Sequence, residues 1–396
     1  YEALKAQNQG MLQYSMYGGK FVVNPYFPSA SNILVVNRTL MDEKGVDVPT
    51  AQSILDDPEA SGWTWKAFHD AAKTATDAAA GVYGFATNSL DPIGMMYQQG
   101  GSLYNEDVTE IAFEGDDRFA KGLEFWRSLV TDGCMIDPNS RANHGTIIVS
   151  EFYEQKVGMI YTTSSNLASF SKEAAANGYE LEALPFPKQT QFFTNQGGSG
   201  FIILDNKPQE EIEAAAEFLR WMNLPENNAK MCAMSGYLPL TEEAMEQPEL
   251  QEVYETAPML KTAAQFMQFG IPSPQGKAKA ACDKAVNDYA KLIWSEPEMS
   301  IEEIVSQVTE MYEGKLTFAV VGLGGRASAY LAALREFYPD GHAVVAVADP
   351  DPKKRLRAAQ EYAVPESGLF ETDLELMEQP RLADVAIVGT QDALHY

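Results

Sequence analysis

The feature that most constrains the fold is a glycine-rich turn directly after a short apolar stretch near the C-terminus. The letters TFAVV predict a buried strand, and residues 322–327, which follow at once, read GLGGRA. A helix is expected over 328–338, and a second apolar strand over 343–348 ends on Asp349. A strand, a glycine turn, a helix, a strand and an acidic residue in this order are typical of a doubly wound dinucleotide-binding domain. The pattern predicts a partial Rossmann domain of the α/β class over 316–396.

The residues of this turn suit a nicotinamide dinucleotide. Gly322 permits the tight turn, and Gly324 lets backbone N–H groups meet a pyrophosphate at the start of the helix. Asp349 is predicted to bind the ribose 2′-hydroxyl, which favours NAD. Arg326 and the basic run KKR at 353–355 could instead accept the 2′-phosphate of NADP, so both cofactors stay open. A Rossmann-like fold that binds no nucleotide is the alternative.

Residues before 316 mix short apolar strands with long amphipathic helices, an α/β pattern without any repeat of 20–50 residues. Strands are predicted over 21–23, 33–36, 157–161 and 200–204. Helices are predicted over 65–80, 117–132, 209–223, 249–268, 277–294 and 300–313. The change of pattern at Leu316 predicts two parts, residues 1–315 and residues 316–396.

Composition and charge argue against several classes of function. The net charge is −27, from 29 basic and 56 acidic residues, which repels phosphate backbones and argues against nucleic-acid binding. No apolar run reaches the roughly 18 residues of a membrane helix. The three cysteines, Cys134, Cys232 and Cys282, lack zinc-binding spacing, and burial as small apolar side chains is favoured over one disulfide. The four histidines lie in no hydrolase or zinc motif, so neither a catalytic nor a metal site is predicted.

Several short stretches between residues 19 and 313 carry a resemblance to a known family. They include TWKAF at 64–68, GGSGF at 197–201 and SGYLPL at 235–240. In their content and order they resemble the extracellular solute-binding proteins of ABC sugar importers, especially the glycerol-phosphate and oligosaccharide binders. The resemblance implies a periplasmic-binding-protein-like fold whose two lobes close on a small sugar. It also implies membrane permease subunits as partners and a location outside the cell or at its surface, held by a lipid anchor.

A sugar site needs flat aromatic faces and fixed hydrogen-bonding groups. The candidate ligand contacts, taken from this chemistry and from the resemblance, are Ser29, Ser31, Trp65, Tyr97, Ser164, Gly197, Gly198 and Tyr237. Two alternatives stay open: Trp65 could anchor its helix in the core, and the two glycines could form a plain turn. Binders of phosphate-carrying ligands in this family use an arginine in the C-terminal lobe. The comparable stretch here, 270–277, holds Lys277 and no arginine, so a neutral sugar is favoured over glycerol phosphate.

The C-terminal part carries a second resemblance. The letters VGLGGR at 321–326 and VADP at 347–350 look like the start of a glucose–fructose and inositol dehydrogenase family enzyme. The final residues, 389–396, resemble the loop that lies against the cofactor in that family. The resemblance implies cofactor contacts at Gly322, Gly324, Gly325, Arg326, Asp349, Thr390, Gln391 and His395. The family's Glu-Lys-Pro segment with its catalytic lysine does not occur in 316–396, so we expect nucleotide binding without turnover.

The two ends and the join predict how the halves came together. The chain begins at Tyr1 without an initiator methionine and ends at Tyr396 without a polar tail, so we expect a fragment that lacks much of the first lobe. The join, EGKLT at 313–317, is no Pro- or Ser-rich linker. Since a binding protein works outside the membrane and such a dehydrogenase in the cytoplasm, a fusion by read-through or by sequence assembly is predicted. The alternative is an NAD(P)-dependent oxidoreductase whose N-terminal region binds substrate.

Overall fold

A computed structural model describes residues 15–17, 20–106, 108–113, 115–272, 274, 279–312, 316–337, 342–379, 383 and 385–389. Two compact units divide the chain, Tyr1–Lys277 and Ala278–Tyr396. No helix in these described ranges is long and apolar enough to span a bilayer.

The first unit alternates short strands with helices. Its strands are β1 (Met16–Tyr17), β2 (Lys20–Phe21), β3 (Asn24–Ala30), β4 (Ile33–Asn37), β5 (Tyr83–Ala86), β6 (Val157–Thr162), β7 (Leu181–Pro185), β8 (Thr194–Phe201) and β9 (Gly270–Pro272). Its helices are α1 (Arg38–Glu43), α2 (Ala51–Asp56), α3 (Trp65–Ala75), α4 (Pro92–Tyr97), α5 (Asp117–Thr131), α6 (His144–Tyr153), α7 (Leu167–Asn177), α8 (Gln209–Met222), α9 (Pro225–Ser235), α10 (Glu242–Met245), α11 (Pro248–Thr256) and α12 (Pro258–Gln265). Short 3₁₀ turns lie at Ala78–Ala80, Ser164–Asn166 and Phe266–Phe269.

Two sheets organise this unit. Each sheet, together with the helices packed on it, is called a lobe here. The first sheet has the order β3-β8-β9 and the second β5-β6-β4-β7. Strand β4 lies inside the second sheet, antiparallel to both neighbours, and all five of its residues are buried. Its run Ile33-Leu34-Val35-Val36 explains this position, because branched apolar side chains suit a strand covered on both faces.

The core of the second lobe is built from aromatic rings. Trp126 of α5 stacks on Phe186 with centroids 5.3 Å apart and planes at 2°. Phe68 of α3 meets Phe85 of β5 edge to face at 4.9 Å. These side chains are at most 1% exposed, so α3 and α5 are fixed against the sheet by ring packing.

Several predicted elements have different bounds in the structure, among them the strand over 21–23, of which only Phe21 lies in a strand, and the helix over 277–294, which is divided into two helices. The helix predicted over 65–80 ends at Ala75, because the Thr76 hydroxyl bonds the backbone of residues 72 and 84. The helix predicted over 249–268 is two helices, since Pro258 has no N–H for an intrahelical bond and starts the second one. The strand predicted over 200–204 is Thr194–Phe201, because pairing with β3 and not apolar content sets its extent.

The second unit is a parallel sheet with helices. Its elements are α13 (Lys279–Tyr289), α14 (Leu292–Ser295), α15 (Ile301–Tyr312), β10 (Leu316–Val321), α16 (Gly325–Phe337), β11 (His342–Ala348), α17 (Pro352–Tyr362), β12 (Leu369–Phe370), α18 (Asp373–Met377) and β13 (Val385–Val388). The strand order β12-β11-β10-β13 is entirely parallel. Helix α15 lies in this unit, and Ser367 donates a hydrogen bond to Glu303 on it at 2.5 Å. The predicted boundary between residues 315 and 316 remains a prediction.

Candidate functional site

The two sheets of the first unit are joined by short crossings that lie side by side. Residues 31–32 connect β3 to β4, and residues 186–193 connect β7 to β8. The backbone N–H of Ser31 donates to the carbonyl of Asn195 at 3.2 Å, and that of Phe186 to the carbonyl of Asn32 at 2.8 Å. Both crossings are short and bonded to each other, and we refer to this connection between the two sheets as the hinge.

Asn32 is the central residue of this hinge. Its φ of +64° is a left-handed conformation that asparagine tolerates better than most residues. Its fully buried side chain accepts hydrogen bonds from the Asn195 N–H at 3.1 Å and the Ser31 hydroxyl at 3.0 Å. Its amide donates to the carboxylate of Asp91, which caps α4 through the Gly94 N–H at 3.0 Å. One side chain therefore ties a strand of the first sheet to a helix of the second lobe.

The groups around Asp91 are hydrogen-bonded but poorly solvated. Burial raises the pKa of Asp91 from 3.8 to about 6, against the opposing effect of hydrogen bonds from the Gly94 N–H and the Tyr161 hydroxyl. Burial also raises the pKa of Tyr161 well above its usual value of 10, so this hydroxyl keeps its proton and serves as a donor. Sequence reasoning missed Asn32 and Asp91 because 59 residues separate them, although the Asp-Pro start of a helix is a recognisable capping signal.

Six of the eight predicted ligand residues lie on or beside strand β3 and the crossing that follows it. They are Ser29, Ser31, Ser164, Gly197, Gly198 and Tyr237. Ser29 pairs with Gly197 across β3 and β8, and the Ser164 hydroxyl accepts the Ala30 N–H at 3.2 Å. The Tyr237 ring lies 5.1 Å from the ring of Phe27 on β3 and is half-buried. Their roles in ligand binding remain predictions.

The two adjacent glycines differ in what the backbone demands of them. Gly198 has a φ of +140°, and a Cβ there would lie 2.0 Å from the carbonyl oxygen of Phe27, so only glycine fits against β3. A Cβ on Gly197 would meet no atom within 4 Å. A ligand could therefore approach this pair at the backbone of Gly197, beside which the space is open.

The remaining two predicted residues lie in the second lobe. Trp65 is 5% exposed, stacks on Phe125 at 4.5 Å and donates its indole N–H to Gln98 at 3.1 Å. This burial favours the alternative that Trp65 anchors α3. Tyr97 ends α4, stacks on Phe193 at 5.2 Å and is half-buried, which leaves part of its ring accessible.

One constellation resembles a nucleophilic site and does not have its chemistry. His69 Nε2 lies 2.9 Å from the carboxylate of Asp132 and 3.7 Å from the sulfur of Cys134. A catalytic histidine needs one nitrogen for each partner, whereas here one nitrogen faces both. Burial, with the charge of Asp132, raises the pKa of Cys134 to about 11, so the thiol keeps its proton. Cys134, Cys232 and Cys282 are all buried and unbridged.

The glycine turn of the second unit forms an open cradle at the end of β10. Gly322 has a φ of +78°, and helix α16 begins three residues later at Gly325. No atom lies within 4 Å of where a Cβ on Gly325 would be, whereas a Cβ on Gly389 would lie 2.6 Å from the Cβ of Ala327. The turn packs closely on the end of β13 and leaves the start of α16 open, which fits a pyrophosphate on the first N–H groups of the helix.

Asp349, predicted to bind the ribose, is 4% exposed in the structure. Its carboxylate accepts the Leu323 N–H at 2.7 Å and the Asp351 N–H at 2.9 Å, and the Lys354 amine lies 3.3 Å away. The carboxylate therefore braces the glycine turn, and its contact with a ribose remains a prediction. Thr390, Gln391, His395 and Lys277 lie outside the described residues.

Comparison with known proteins identifies a family for each of the two parts of the chain. Residues 1–262 match the family model described as "Bacterial extracellular solute-binding protein". The chain belongs to this solute-binding family. Residues 316–396 match the model described as "Oxidoreductase family, NAD-binding Rossmann fold". Both resemblances seen in the sequence are confirmed.

Curated relatives of this solute-binding chain are named for a phosphorylated ligand. The sn-glycerol-3-phosphate-binding periplasmic protein UgpB of Yersinia pestis is 26% identical over 273 residues, which is 65% of this chain and 58% of the relative. That of Escherichia coli K12 is 28% identical over 127 residues, 31% of this chain and 29% of the relative. The chain thus spans less than two thirds of the length of these relatives.

Solved structures that share the fold are named for oligosaccharide ligands. An ABC substrate-binding protein of Listeria monocytogenes in complex with cycloalternan has a TM-score of 0.63 and 21% identity, over 78% of this chain and 75% of that one. A cyclic α-maltosyl-1,6-maltose binding protein of Arthrobacter globiformis has a TM-score of 0.61 and 20% identity, over 78% and 76%. These matches confirm a periplasmic-binding-protein-like fold.

Proposed function

We propose that the N-terminal region binds a neutral carbohydrate between its two lobes as the binding component of an ABC importer. The observation that carries the proposal is the connection at Asn32 together with strand β3 before it, along which the predicted serine, glycine and tyrosine contacts lie. Ligand binding would close the lobes about this hinge, and the closed form would be recognised by membrane permease subunits. No bond of the sugar is broken in this function. The family's extracellular setting supports a location outside the cytoplasm for this region.

The choice of a neutral sugar over glycerol 3-phosphate rests on the charged side chains. Two arginines of the second lobe are already engaged: Arg38 with Glu182 and the carbonyl of Val48, and Arg141 with Glu151. A phosphate needs a guanidinium fork or a comparable set of donors. Solved structures of the same fold that are named for oligosaccharide ligands support the same choice.

Titration calorimetry of the full chain with maltotriose, cycloalternan and glycerol 3-phosphate tests the proposal. We expect heat of binding with at least one oligosaccharide and none with glycerol 3-phosphate. Tyr237→Ala is expected to weaken the sugar by about tenfold or more, because a ring that covers one face of a sugar contributes on the order of 1–2 kcal/mol. Tyr330→Ala, an exposed tyrosine of the second unit, is the matched control. Binding of glycerol 3-phosphate alone would contradict the neutral-sugar proposal.

For the C-terminal region we propose binding of a nicotinamide dinucleotide. The turn at Gly322 and Gly324 and the first turn of α16 would hold the pyrophosphate, and residues at the end of β11 would face the adenosine ribose. When bound, the dinucleotide supplies hydride-transfer chemistry. An oxidoreductase that draws its substrate from the N-terminal region is the second candidate, favoured by the family match over 316–396. Titration of the full chain with NAD⁺ tests nucleotide binding, which the binding function and the oxidoreductase function both require.

A further inference from the structure

We propose that helix α4 is a strut between the two crossings of the hinge, through which Asp91 and Asn32 position Tyr97 for a bound sugar. The inference rests on the proposed sugar site and identifies what sets the orientation of one of its predicted contacts. Tyr97 is that contact, whereas Asp91 and Asn32 are positioning residues that act through it. Helix α4 has only 6 residues, or about 9 Å at 1.5 Å per residue, so a constraint at one end is passed to the other.

The first step concerns the N-terminal end of α4. The Asp91 carboxylate caps the helix by accepting the Gly94 N–H at 3.0 Å, and it also accepts the side-chain amide of Asn32. A Cβ on Gly94 would overlap the Asp91 carboxylate and lie 2.7 Å from the Asn32 amide nitrogen, so glycine leaves the room that this contact needs. The start of α4 is therefore bonded to the crossing between β3 and β4.

The second step concerns the C-terminal end of α4. The Tyr97 carbonyl accepts the side-chain amide of Gln191 at 2.8 Å. The Gln98 carbonyl, directly after the helix, accepts the N–H of Thr190 at 2.8 Å and its hydroxyl at 3.0 Å. The Tyr97 ring stacks on Phe193 with centroids 5.2 Å apart and planes at 10°. The end of α4 that carries Tyr97 is therefore fixed to the crossing between β7 and β8 by hydrogen bonds and by ring stacking.

The third step concerns the polarity of the contact between Asn32 and Asp91. The side-chain oxygen of Asn32 already accepts the Asn195 N–H at 3.1 Å and the Ser31 hydroxyl at 3.0 Å. Turning the amide over would lose both bonds, so its N–H group is the side that faces Asp91. Position 91 must therefore offer two acceptor oxygens, one for the cap of α4 and one for Asn32. An aspartate offers both, whereas an asparagine offers one and loses either the cap or the link to the first crossing.

Titration calorimetry of the full chain with maltotriose and with cycloalternan tests the assignment. We expect Asp91→Asn to weaken the oligosaccharide that the parent chain binds by about fivefold or more, since the orientation of Tyr97 is no longer fixed. The pair Asn32→Asp with Asp91→Asn should restore binding to within about twofold, because a carboxylate then accepts at position 32 and an amide donates at position 91. Asp116→Asn, the same change at the cap of α5, is the matched control and should leave the affinity unchanged.

The variant Tyr97→Ala separates positioning from a general loss of structure. Because Asp91 acts through the Tyr97 ring, Asp91→Asn should change the affinity by less than about 1.5-fold when Tyr97 is already alanine. A purely structural role of Asp91 would instead give the same loss in both backgrounds. Each variant is titrated at a temperature at which its circular dichroism matches that of the parent chain, so that only folded protein is compared.

Several results would overturn the proposal. They are an unchanged affinity in Asp91→Asn or in Tyr97→Ala, an equal effect of Asp91→Asn with and without the Tyr97 ring, and a doubly substituted chain that binds as weakly as Asp91→Asn alone. If the parent chain binds neither oligosaccharide, the proposed sugar site is wrong and this assignment fails with it. Binding by the parent chain without any response to Asp91→Asn refutes the strut alone, so the two failures are distinguishable.

Discussion

At the scale of single residues, Asn32 combines an unusual backbone conformation with three side-chain hydrogen bonds. We expect Asn32→Ala to lower the free energy of unfolding by about 2–4 kcal/mol, because alanine is strained at a φ of +64° and the Asp91 carboxylate loses a donor. Asn32→Gly removes the same bonds without the strain and should cost about 1 kcal/mol less. Urea denaturation followed by tryptophan fluorescence measures both, with the exposed Asn177→Ala as control. Equal losses in the two variants would show that the backbone strain is absent.

The carboxyl group of Asp91 gives the first unit a pH-dependent stability. Because burial raises its pKa from 3.8 to about 6, the folded state keeps a proton that the unfolded state releases between these pH values. The free energy of unfolding should therefore fall as pH rises from about 4 to about 6, by at most about 3 kcal/mol, and then level off.

Asp91→Asn should flatten this part of the pH profile, since an amide does not titrate. Urea denaturation at a series of pH values measures the slope. Asp47→Asn, at an exposed position of the same lobe, should reproduce the parent profile. If the difference between the parent and Asp91→Asn profiles does not fall between pH 4 and 6, the assignment is wrong.

At the scale of elements, helix α8 carries an apolar face that solvent reaches. Phe218 and Trp221 are 53% and 55% exposed and lie 6.0 Å apart, and Ile202 and Leu204 beside them are 64% and 58% exposed. This face lines cavities of 310 and 760 Å³. An exposed apolar patch of this kind binds apolar dyes and favours association.

Removing two rings from that face should therefore cost little stability. We expect the double variant Phe218→Ser, Trp221→Ser to change the free energy of unfolding by less than about 1 kcal/mol and to reduce the fluorescence of bound anilinonaphthalene sulfonate. Phe119→Ala, at a ring with no exposed surface, is the contrasting control and should cost about 3–5 kcal/mol. A large loss in the double variant would mean that this face is buried in solution.

The sequence predicts an element well when the interactions that determine its bounds are local. The capping residue Thr64 and the aromatic spacing of α5 act within a few residues, and both helices begin at the predicted residue. Strand β8 is different, because its residues 197–200 are GGSG and carry no apolar alternation. Its extent is set by pairing with β3, more than 160 residues earlier, which no local pattern contains.

The same reasoning separates the predictable and unpredictable parts of the site. The glycine turn at Gly322 is readable because its function requires adjacent residues in a fixed order. The contact of Asn32 with Asp91 joins residues far apart in the chain, and the role of Asp349 as a brace depends on the position of the Leu323 N–H. Chemical type predicts which residues a ligand could use, whereas only the fold determines which of them are already engaged.

At the scale of the whole molecule, a net charge of −27 distinguishes the two kinds of ligand proposed for the chain. An anionic dinucleotide approaches against a long-range repulsion, while a neutral oligosaccharide does not. Salt shortens the range of this repulsion from roughly 30 Å at 10 mM to about 8 Å at 150 mM.

We therefore expect the association rate constant of NADP⁺ to rise with ionic strength and that of a neutral sugar to stay constant. The dissociation rate of NADP⁺ should also rise, because salt weakens charge-assisted contacts with its phosphates. Stopped-flow fluorescence between 10 and 300 mM salt measures both rates, and the neutral sugar serves as the internal control. An NADP⁺ association rate that falls with salt would mean that the basic run at 353–355 steers the ligand more strongly than the net charge of the chain repels it. In that case local charge, and not net charge, governs the encounter at this site.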